Sequence, residues 1–279
     1  MAALDKSGSK APAPRSASGL GLFSRYDGNI VGGALLGAGM ALSAACPGVA
    51  FAQAGLGLRS AQYAIQGALA GGVVYSGILA PVITSRRKAL SIDSSPTTIH
   101  ESLGVSRTAT LVGMEAIYGA VIASAIFYGP PSPFNPLVAP AVGGLILGGA
   151  QLLSLLLRGS LIGVSSAFED MGKYAVWLGG GAETKAAPKS YTSLLFAGAM
   201  AAGAYALGQA YPGVAPLEDS RVTAVNAVAG GFLFAVGSRI AGGCTSGHGI
   251  SGISLLSVSS FLTIASTFAG GAAAALWAY

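Results

Sequence analysis

Two cysteines stand beside residues that could hold a small anion. Cys46 opens the segment Cys46-Pro47-Gly48, and Cys244 lies in the segment Gly243-Cys244-Thr245-Ser246-Gly247-His248. A thiol is a weak donor and a weak acceptor, so its contacts exchange easily. Glycines let backbone N–H groups approach a ligand closely, and the hydroxyls add further donors. These residue types favour a path for an anion that carries a soft, polarisable atom.

The composition indicates that this path lies in a membrane. Only 9% of the residues are charged, whereas a soluble domain carries about 25%. Polar groups and broken backbone at membrane depth persist only where protein or a cavity surrounds them. The net charge of +5 comes from loop residues and not from a basic module, which excludes a nucleic-acid partner.

The chain divides into a tail and one transport domain. Residues 1–27 have no apolar core and are expected to form a disordered cytosolic tail, and residues 28–279 form a single transmembrane domain. Short segments after Cys46, around Ile99, after Gly159 and after Cys244 are expected to enter the membrane and return on the same side. The segment Met171–Ala182 is expected at the interface. The predicted crossing helices lie near 28–45, 61–84, 108–128, 137–157, 190–210, 222–242 and 255–278.

The distribution of basic residues predicts the orientation. With the N-terminus in the cytosol, twelve lysines and arginines face the cytosol and two face outward. This bias obeys the positive-inside rule and predicts an integral protein of the plasma (inner) membrane. The cytosolic residues are Lys6, Lys10, Arg15, Arg25, Arg86, Arg87, Lys88, Arg107, Arg158, Lys173, Lys185 and Lys189, the outward ones are Arg59 and Arg221, and Arg239 lies within the membrane.

An internal repeat relates the two cysteine segments. Val31–Gly48 aligns with Ala229–Ser246 at a constant offset of 198 residues, which pairs Cys46 with Cys244. The repeat units cover about 28–128 and 190–279. Five crossings separate the two units, so the second has the opposite orientation. Inverted repeats are typical of transporters that have a central site between broken helices.

The motif from Gly242 to Gly249, followed by Ile250-Ser251-Gly252, resembles the signature of the YeeE/YedE sulphur-transport family, and Ala45-Cys46-Pro47-Gly48 resembles its first cysteine element. The resemblance implies an hourglass-like, all-α polytopic membrane protein with short re-entrant helices, which imports thiosulfate or a related sulphur species past a line of cysteines. Bacterial relatives often have a third, central cysteine. This chain has two cysteines, so another group must act at the middle position or the substrate must pass directly.

Several residues keep alternative interpretations. His248 could pack against its neighbours, or it could donate a hydrogen bond or carry a proton on the path. Glu115 and Arg239 are a possible intramembrane charge pair, and Glu115 could also be functional by itself. His100 and Glu101 are expected in a surface loop. Two cysteines and one histidine are too few for a zinc site, so neither a metal nor another cofactor is predicted.

The sequence therefore predicts a transporter and not an enzyme. Its predicted partners are thiosulfate or a similar anion and the lipid bilayer, and a soluble cytosolic sulphur-carrier protein is a further possible partner. Two other functions stay open. A small-anion channel would lack sulphur selectivity, and a membrane thiol-dependent sulfurtransferase would use Cys244 as nucleophile and His248 as base. A purely structural role predicts no effect of replacing both cysteines.

Overall fold

The computed structural model describes residues 12–129, 138–179, 190–211, 213 and 222–278, the side chain of Arg158 excepted. Every regular element in these ranges is a helix, as predicted. Two are π-helices, π1 and π2. In chain order the elements are α1 (Asp27–Ser43), α2 (Ala50–Gly55), α3 (Arg59–Val74), π1 (Tyr75–Leu79), α4 (Ala80–Ala89), α5 (Ile99–Leu103), α6 (Arg107–Tyr128), α7 (Pro140–Arg158), α8 (Ser165–Gly179), α9 (Thr192–Ala210), α10 (Ala224–Ala241), π2 (Ser246–Gly252) and α11 (Val258–Ala278).

Within the described residues, six helices are long and apolar enough to cross a membrane. They match six of the seven predicted spans, and α3, π1 and α4 together form one of them. The remaining span, predicted at 28–45, coincides with α1. This helix has 17 residues and is therefore about 26 Å long, slightly less than the roughly 30 Å of bilayer hydrocarbon. The chain is an all-α polytopic membrane protein.

A central bundle of α1, α3, α10 and α11 holds the molecule together. Helix α1 packs against α10 and α11, and α10 also packs against α3. Helices α1 and α10 run antiparallel, because Gly32 lies against Gly237 and Ala241 whereas Gly39 lies against Gly230. Backbone meets backbone at these points, which only small residues allow.

The glycine spacings Gly33-Gly37 and Gly67-Gly71 serve helix packing, as predicted. A Cβ placed on Gly33 would lie 2.7 Å from the carbonyl oxygen of Thr263 on α11, and one on Gly71 would lie 2.8 Å from that of Phe232 on α10. Real Cβ atoms do not approach backbone so closely. These positions therefore fix the distance between the helices.

Helix α8 begins earlier than the segment that the sequence selects. The sequence places Met171–Ala182 at the interface, of which residues 180–182 lie outside the described residues, whereas the helix begins at Ser165 and packs against α3. Its Phe168 is fully buried between Phe51 of α2 and Phe234 of α10, with ring centroids 5.0 Å and 5.6 Å apart. The first half of α8 is thus part of the core.

The outer helices have the surface that lipid would cover. Helix α6 buries none of its side chains, and large apolar residues such as Ile126, Phe127 and Leu145 are exposed along α6 and α7. A soluble protein rarely exposes so large an apolar area. The exposed faces of α6 and α7 therefore fit the predicted contact with the bilayer.

The N-terminal segment 12–26 is packed and does not form a disordered tail. The backbone N–H of Ser18 donates to Asn29 Oδ1 at 2.8 Å, and that of Leu22 donates to Asp27 Oδ2 at 2.6 Å. Asp27 is itself the first residue of α1. The predicted boundary at residue 27 therefore falls inside a packed region. Residues 1–11, with Lys6 and Lys10, lie outside the described residues, as do Lys185, Lys189 and Arg221.

The segment around Ile99 forms the short helix α5. Thr98 and Glu101 form a capping box, in which the Thr98 N–H donates to Glu101 Oε2 at 2.8 Å. These hydrogen bonds from Thr98 hold the pKa of Glu101 below its usual value. His100 and Glu101 thus lie on a short capped helix that buries none of its residues.

Candidate functional site

The second cysteine segment begins where α10 ends. Gly242 has a φ of +84°, in the left-handed region that favours glycine. The N–H of Gly243 donates back to the Ser238 carbonyl at 2.8 Å and closes the helix. The chain then turns through Cys244 and Thr245 into π2, which begins at Ser246. The glycines therefore place the thiol just beyond a helix end.

The Cys244 thiol is fully buried and surrounded by hydrogen-bonding groups. Its Sγ lies 3.1 Å from Ser246 Oγ. The backbone N–H groups of Gly247 and Val164 and the hydroxyl of Ser165 also reach the sulphur. Backbone N–H groups only donate, so they favour electron-rich sulphur at this position. The donors around Cys244 therefore suit its own sulphur and would also suit the sulphur atom of a substrate.

The first cysteine segment reaches the second in the interior. Cys46 is partly exposed and Pro47 is buried. A Cβ placed on Gly48 would lie 3.4 Å from Cys46 Sγ and 3.5 Å from Ser246 Oγ. Ser246 in turn contacts Cys244. The fold thus places Gly48 and Ser246 between the two thiols, and any side chain at residue 48 would narrow the gap.

His248 connects the second cysteine segment to the helices on either side of it. Its Nε2 lies 3.2 Å from the Ala241 carbonyl oxygen, and its Nδ1 lies 2.8 Å from Ser260 Oγ. A carbonyl only accepts, so in the neutral ring Nε2 carries the proton and Nδ1 accepts from Ser260. Both ring nitrogens are occupied inside the protein, which favours the packing interpretation. The ring links the end of α10 to α11.

Arg15 is the largest addition to the predicted site. Its Nε donates to the Gly247 carbonyl at 2.9 Å, and its Nη1 donates to the Gly242 carbonyl at 3.1 Å. Ser257 and Ser259 donate to its own carbonyl. The sequence analysis placed Arg15 in a disordered cytosolic tail and did not select it as a site residue. A guanidinium in fact contacts the glycine motif.

The predicted charge pair is wrong. Arg239 forms its ion pair with Glu169 of α8, not with Glu115. Glu169 also contacts Lys173 at 2.6 Å, and the Arg239 guanidinium lies 5.9 Å from the Tyr75 ring centroid. Glu115 lies on the exposed surface of α6. Charge alone could not choose between the two acids, because the choice depends on which helix packs against α10.

Val164, Ser165 and Glu169 also belong to the site or its support, and the sequence analysis did not select them. One local signal was available. Ser166-Ala167-Phe168-Glu169 has the spacing of a helix start, which would have moved the beginning of α8 toward the cysteines. Gln151 holds the preceding loop in place: its Oε1 accepts from the Ile162 N–H at 3.0 Å, and its Nε2 donates to Ser251.

These features define the class of the protein. Long apolar helices surround a buried polar centre in which two glycine-flanked thiols converge, as in a membrane protein that passes a small solute. Residues 10–273 match the family model described as "Sulphur transport". The chain belongs to this sulphur-transport family, as its resemblance to the YeeE/YedE motifs implies. A search of curated proteins found no match to the chain.

Proposed function

We propose that the protein imports thiosulfate, or a closely related small sulphur-containing anion, along a central path past Cys46 and Cys244. The observation that carries the proposal is the convergence of the two cysteine segments at Gly48 and Ser246. Pro47 supports the outer segment, and Gly243, Thr245, Ser246, Gly247 and His248 support the inner one. Membership of a sulphur-transport family gives the substrate class. Within this class, the thiols favour anions that carry a soft, polarisable sulphur atom.

Thiosulfate suits such a path because its two ends differ. It is a dianion with oxygens at one end and a polarisable sulphur at the other. A thiol can exchange weak hydrogen bonds with the sulphur end. Conduction requires contacts that are strong enough to admit the ion and weak enough to release it. Cys244, with Ser246 and the Gly247 N–H beside it, offers contacts of this kind.

An inverted repeat is part of the proposal, and equivalent contacts in the two units support it. Gly32 meets Gly237 and Ala241, and its equivalent Gly230 meets Gly39 and Ser43. The offset of 198 residues relates Gly39 to Gly237 and Ser43 to Ala241. Each contact therefore occurs twice, once from each repeat unit. Helices α1 and α10 are the equivalent helices of the two units, and they run antiparallel. The two units therefore have opposite orientations.

The contact of α1 with α11 also has an equivalent in the other unit, the contact of α10 with α3. Gly33 meets Thr263, and its equivalent Gly231 meets Ala64. In this arrangement the cysteine segments after α1 and α10 begin at opposite ends of the bundle and meet between them. That geometry supports re-entrant segments and an hourglass-like path. The segment from Gly159 to Val164, which leads from the end of α7 to Cys244, supports a third one.

The orientation and membrane are also proposed. Arg15 and Arg87, both predicted to be cytosolic, line one cavity together with Gly159, the neighbour of the predicted cytosolic Arg158. Their meeting supports a single cytosolic side, with the N-terminus in the cytosol of a plasma (inner) membrane protein. Import would then deliver the anion there, either free or to a soluble sulphur-carrier protein.

The decisive experiment is uptake by proteoliposomes. Purified wild-type protein and Cys244→Ser are reconstituted at matched protein content, and entry of labelled thiosulfate, sulfate and sulfite is measured. A hydroxyl keeps a donor of similar size but is a harder partner for sulphur. We expect Cys244→Ser to reduce thiosulfate flux by a larger factor than sulfate flux. Equal factors would contradict the sulphur path and leave a non-selective small-anion channel.

The geometry does not favour a sulfurtransferase. A nucleophilic cysteine needs a base within hydrogen-bond reach. The nitrogens of His248 are directed at Ser260 and the Ala241 carbonyl, so His248 is not placed to activate Cys244. We therefore propose transport without covalent catalysis. Transfer of labelled sulphur onto Cys244, detected by mass spectrometry of the intact protein, would contradict this.

A further inference from the structure

A polar cavity lies beside Gly242, on the side of the N-terminal segment. This cavity of about 580 Å³ is lined by Pro12–Ser18, Arg87, Ser94, Gly159–Leu161, Gly242 and Leu255. This is within the size range of small-molecule sites. Its lining includes two arginines and several hydroxyls, and none of the described lining residues is acidic.

Both arginines are held in place through backbone and hydroxyl oxygens. Arg15 donates to the carbonyls of Gly242 and Gly247. Arg87 donates to the Gly19 carbonyl and to Ser18 Oγ, each at 2.7 Å. Neither forms an ion pair with a carboxylate in the described part of the chain. The two arginines therefore bring uncompensated positive charge to one cavity, which favours an anion there.

The arginines also keep donors for a ligand. A guanidinium has five N–H groups in a fixed fork. No hydrogen bond joins Arg15 Nη2 or Arg87 Nη1 to another described residue. Such donors suit the oxygens of an oxyanion, which guanidinium groups bind in a bidentate manner.

The cavity adjoins the thiol. A Cβ placed on Gly247 would lie 2.9 Å from Arg15 Nη2, and the N–H of the same residue reaches Cys244 Sγ. Arg15 and Cys244 therefore contact the same turn. The Arg15 guanidinium therefore lies on one side of this turn and the thiol on the other.

We propose that Arg15 and Arg87 form a binding site for a small divalent oxyanion at the inner end of the path. The proposal rests on the proposed function, and it assigns recognition of the transported anion to two groups of residues. The arginines bind the oxygen atoms that thiosulfate and sulfate share, so they set affinity without selecting for sulphur. The cysteines bind the sulphur end, so they set selectivity.

Anion binding to the detergent-purified protein tests this site without transport. The melting temperature is followed against sodium thiosulfate or sodium sulfate, with sodium chloride keeping the ionic strength constant. We expect Arg15→Gln and Arg87→Gln each to raise the Kd of both anions at least about tenfold, since each removes charge-assisted hydrogen bonds. We expect Cys244→Ser to raise the thiosulfate Kd by a larger factor than the sulfate Kd.

Arg25→Gln is the matched control. Arg25 lies in the same N-terminal region, but it contacts Asp93, Ser95 and Thr97 and does not line the cavity. Its variant should bind both anions within about twofold of wild type. Wild-type affinity in both Arg15→Gln and Arg87→Gln would overturn the site. If Arg15→Gln does not fold, Arg87→Gln alone decides.

The two proposals can fail separately. Thiosulfate uptake by proteoliposomes together with unchanged anion binding in the arginine variants would reject the arginine site and keep the transport function. Anion binding that depends on both arginines, in a protein without thiosulfate uptake, would keep the site and reject the transport function.

Discussion

The two cysteine segments occupy equivalent positions in the proposed repeat but have different surroundings. Cys46 is partly exposed, and its thiol forms no hydrogen bond with another described residue. Cys244 is fully buried and is contacted by Ser246, Gly247, Val164 and Ser165. The first segment enters the short helix α2, whereas the second enters π2.

This difference teaches that equivalent cysteines need not have equivalent roles. An accessible thiol without fixed partners can exchange contacts with a passing anion. A buried thiol among donors holds a defined position and loses more when it is removed. We infer that Cys46 admits the substrate and that Cys244 controls its passage. The following predictions test this division, beginning with the largest expected effect.

Removal of each thiol should separate the two roles most clearly. We expect Cys244→Ala to reduce thiosulfate uptake about 100-fold and Cys46→Ala about tenfold, where each factor of ten corresponds to about 1.36 kcal/mol in the barrier. Proteoliposome uptake measures both. Ser238→Ala is the matched control, because Ser238 is fully buried in α10 and its hydroxyl donates to the Ala235 carbonyl of the same helix. Equal losses in the two cysteine variants would contradict the division.

Glycine substitutions should give the next largest effect. A Cβ on Gly247 would lie 2.9 Å from Arg15 Nη2, closer than ordinary contact, whereas the nearest atom to one on Gly48 would be Cys46 Sγ at 3.4 Å. We expect Gly247→Ala to reduce uptake of all anions about tenfold and Gly48→Ala about threefold. Gly148→Ala, in open space on α7, should have no effect. A larger loss at Gly48 would place the narrowest point at the outer cysteine.

The reactivity of the thiols should reflect their exposure. We expect N-ethylmaleimide to modify Cys46 at least about tenfold faster than Cys244, because reaction requires access to the sulphur. Mass spectrometry of peptides gives both rates, and unfolded protein provides the control in which the rates converge. Excess thiosulfate should slow the modification of Cys46. Faster labelling of Cys244 would mean that its segment opens to solvent.

His248 should affect stability more than selectivity. His248→Ala removes hydrogen bonds to Ser260 and the Ala241 carbonyl, which should lower the free energy of unfolding by about 2 kcal/mol. His100→Ala, on the surface helix α5, should change it by less than about 0.5 kcal/mol. Unfolding in detergent measures both values. Lost uptake at unchanged stability would instead place His248 on the path.

The sequence predicted the helices well because their signal is local. Charge-free apolar runs longer than about 20 residues have few alternatives to a membrane helix. The predicted spans therefore coincide with helices, and the spacings Gly33-Gly37 and Gly67-Gly71 fall at helix contacts. The cysteine segments were also found from the sequence, because polar and glycine residues stand out where apolar ones are expected.

What the sequence could not decide was which distant groups meet. Arg15 lies in a stretch rich in proline and serine with no periodic pattern, so nothing local indicated that it reaches Gly242 and Gly247. The partner of Arg239 depended in the same way on how the helices pack. By itself the sequence determined the membrane class, the helices and the two thiol segments, because each follows from neighbouring residues. Only the tertiary structure decided the contacts of Arg15, Glu169 and Ser165, because long-range contacts depend on how all the helices pack together.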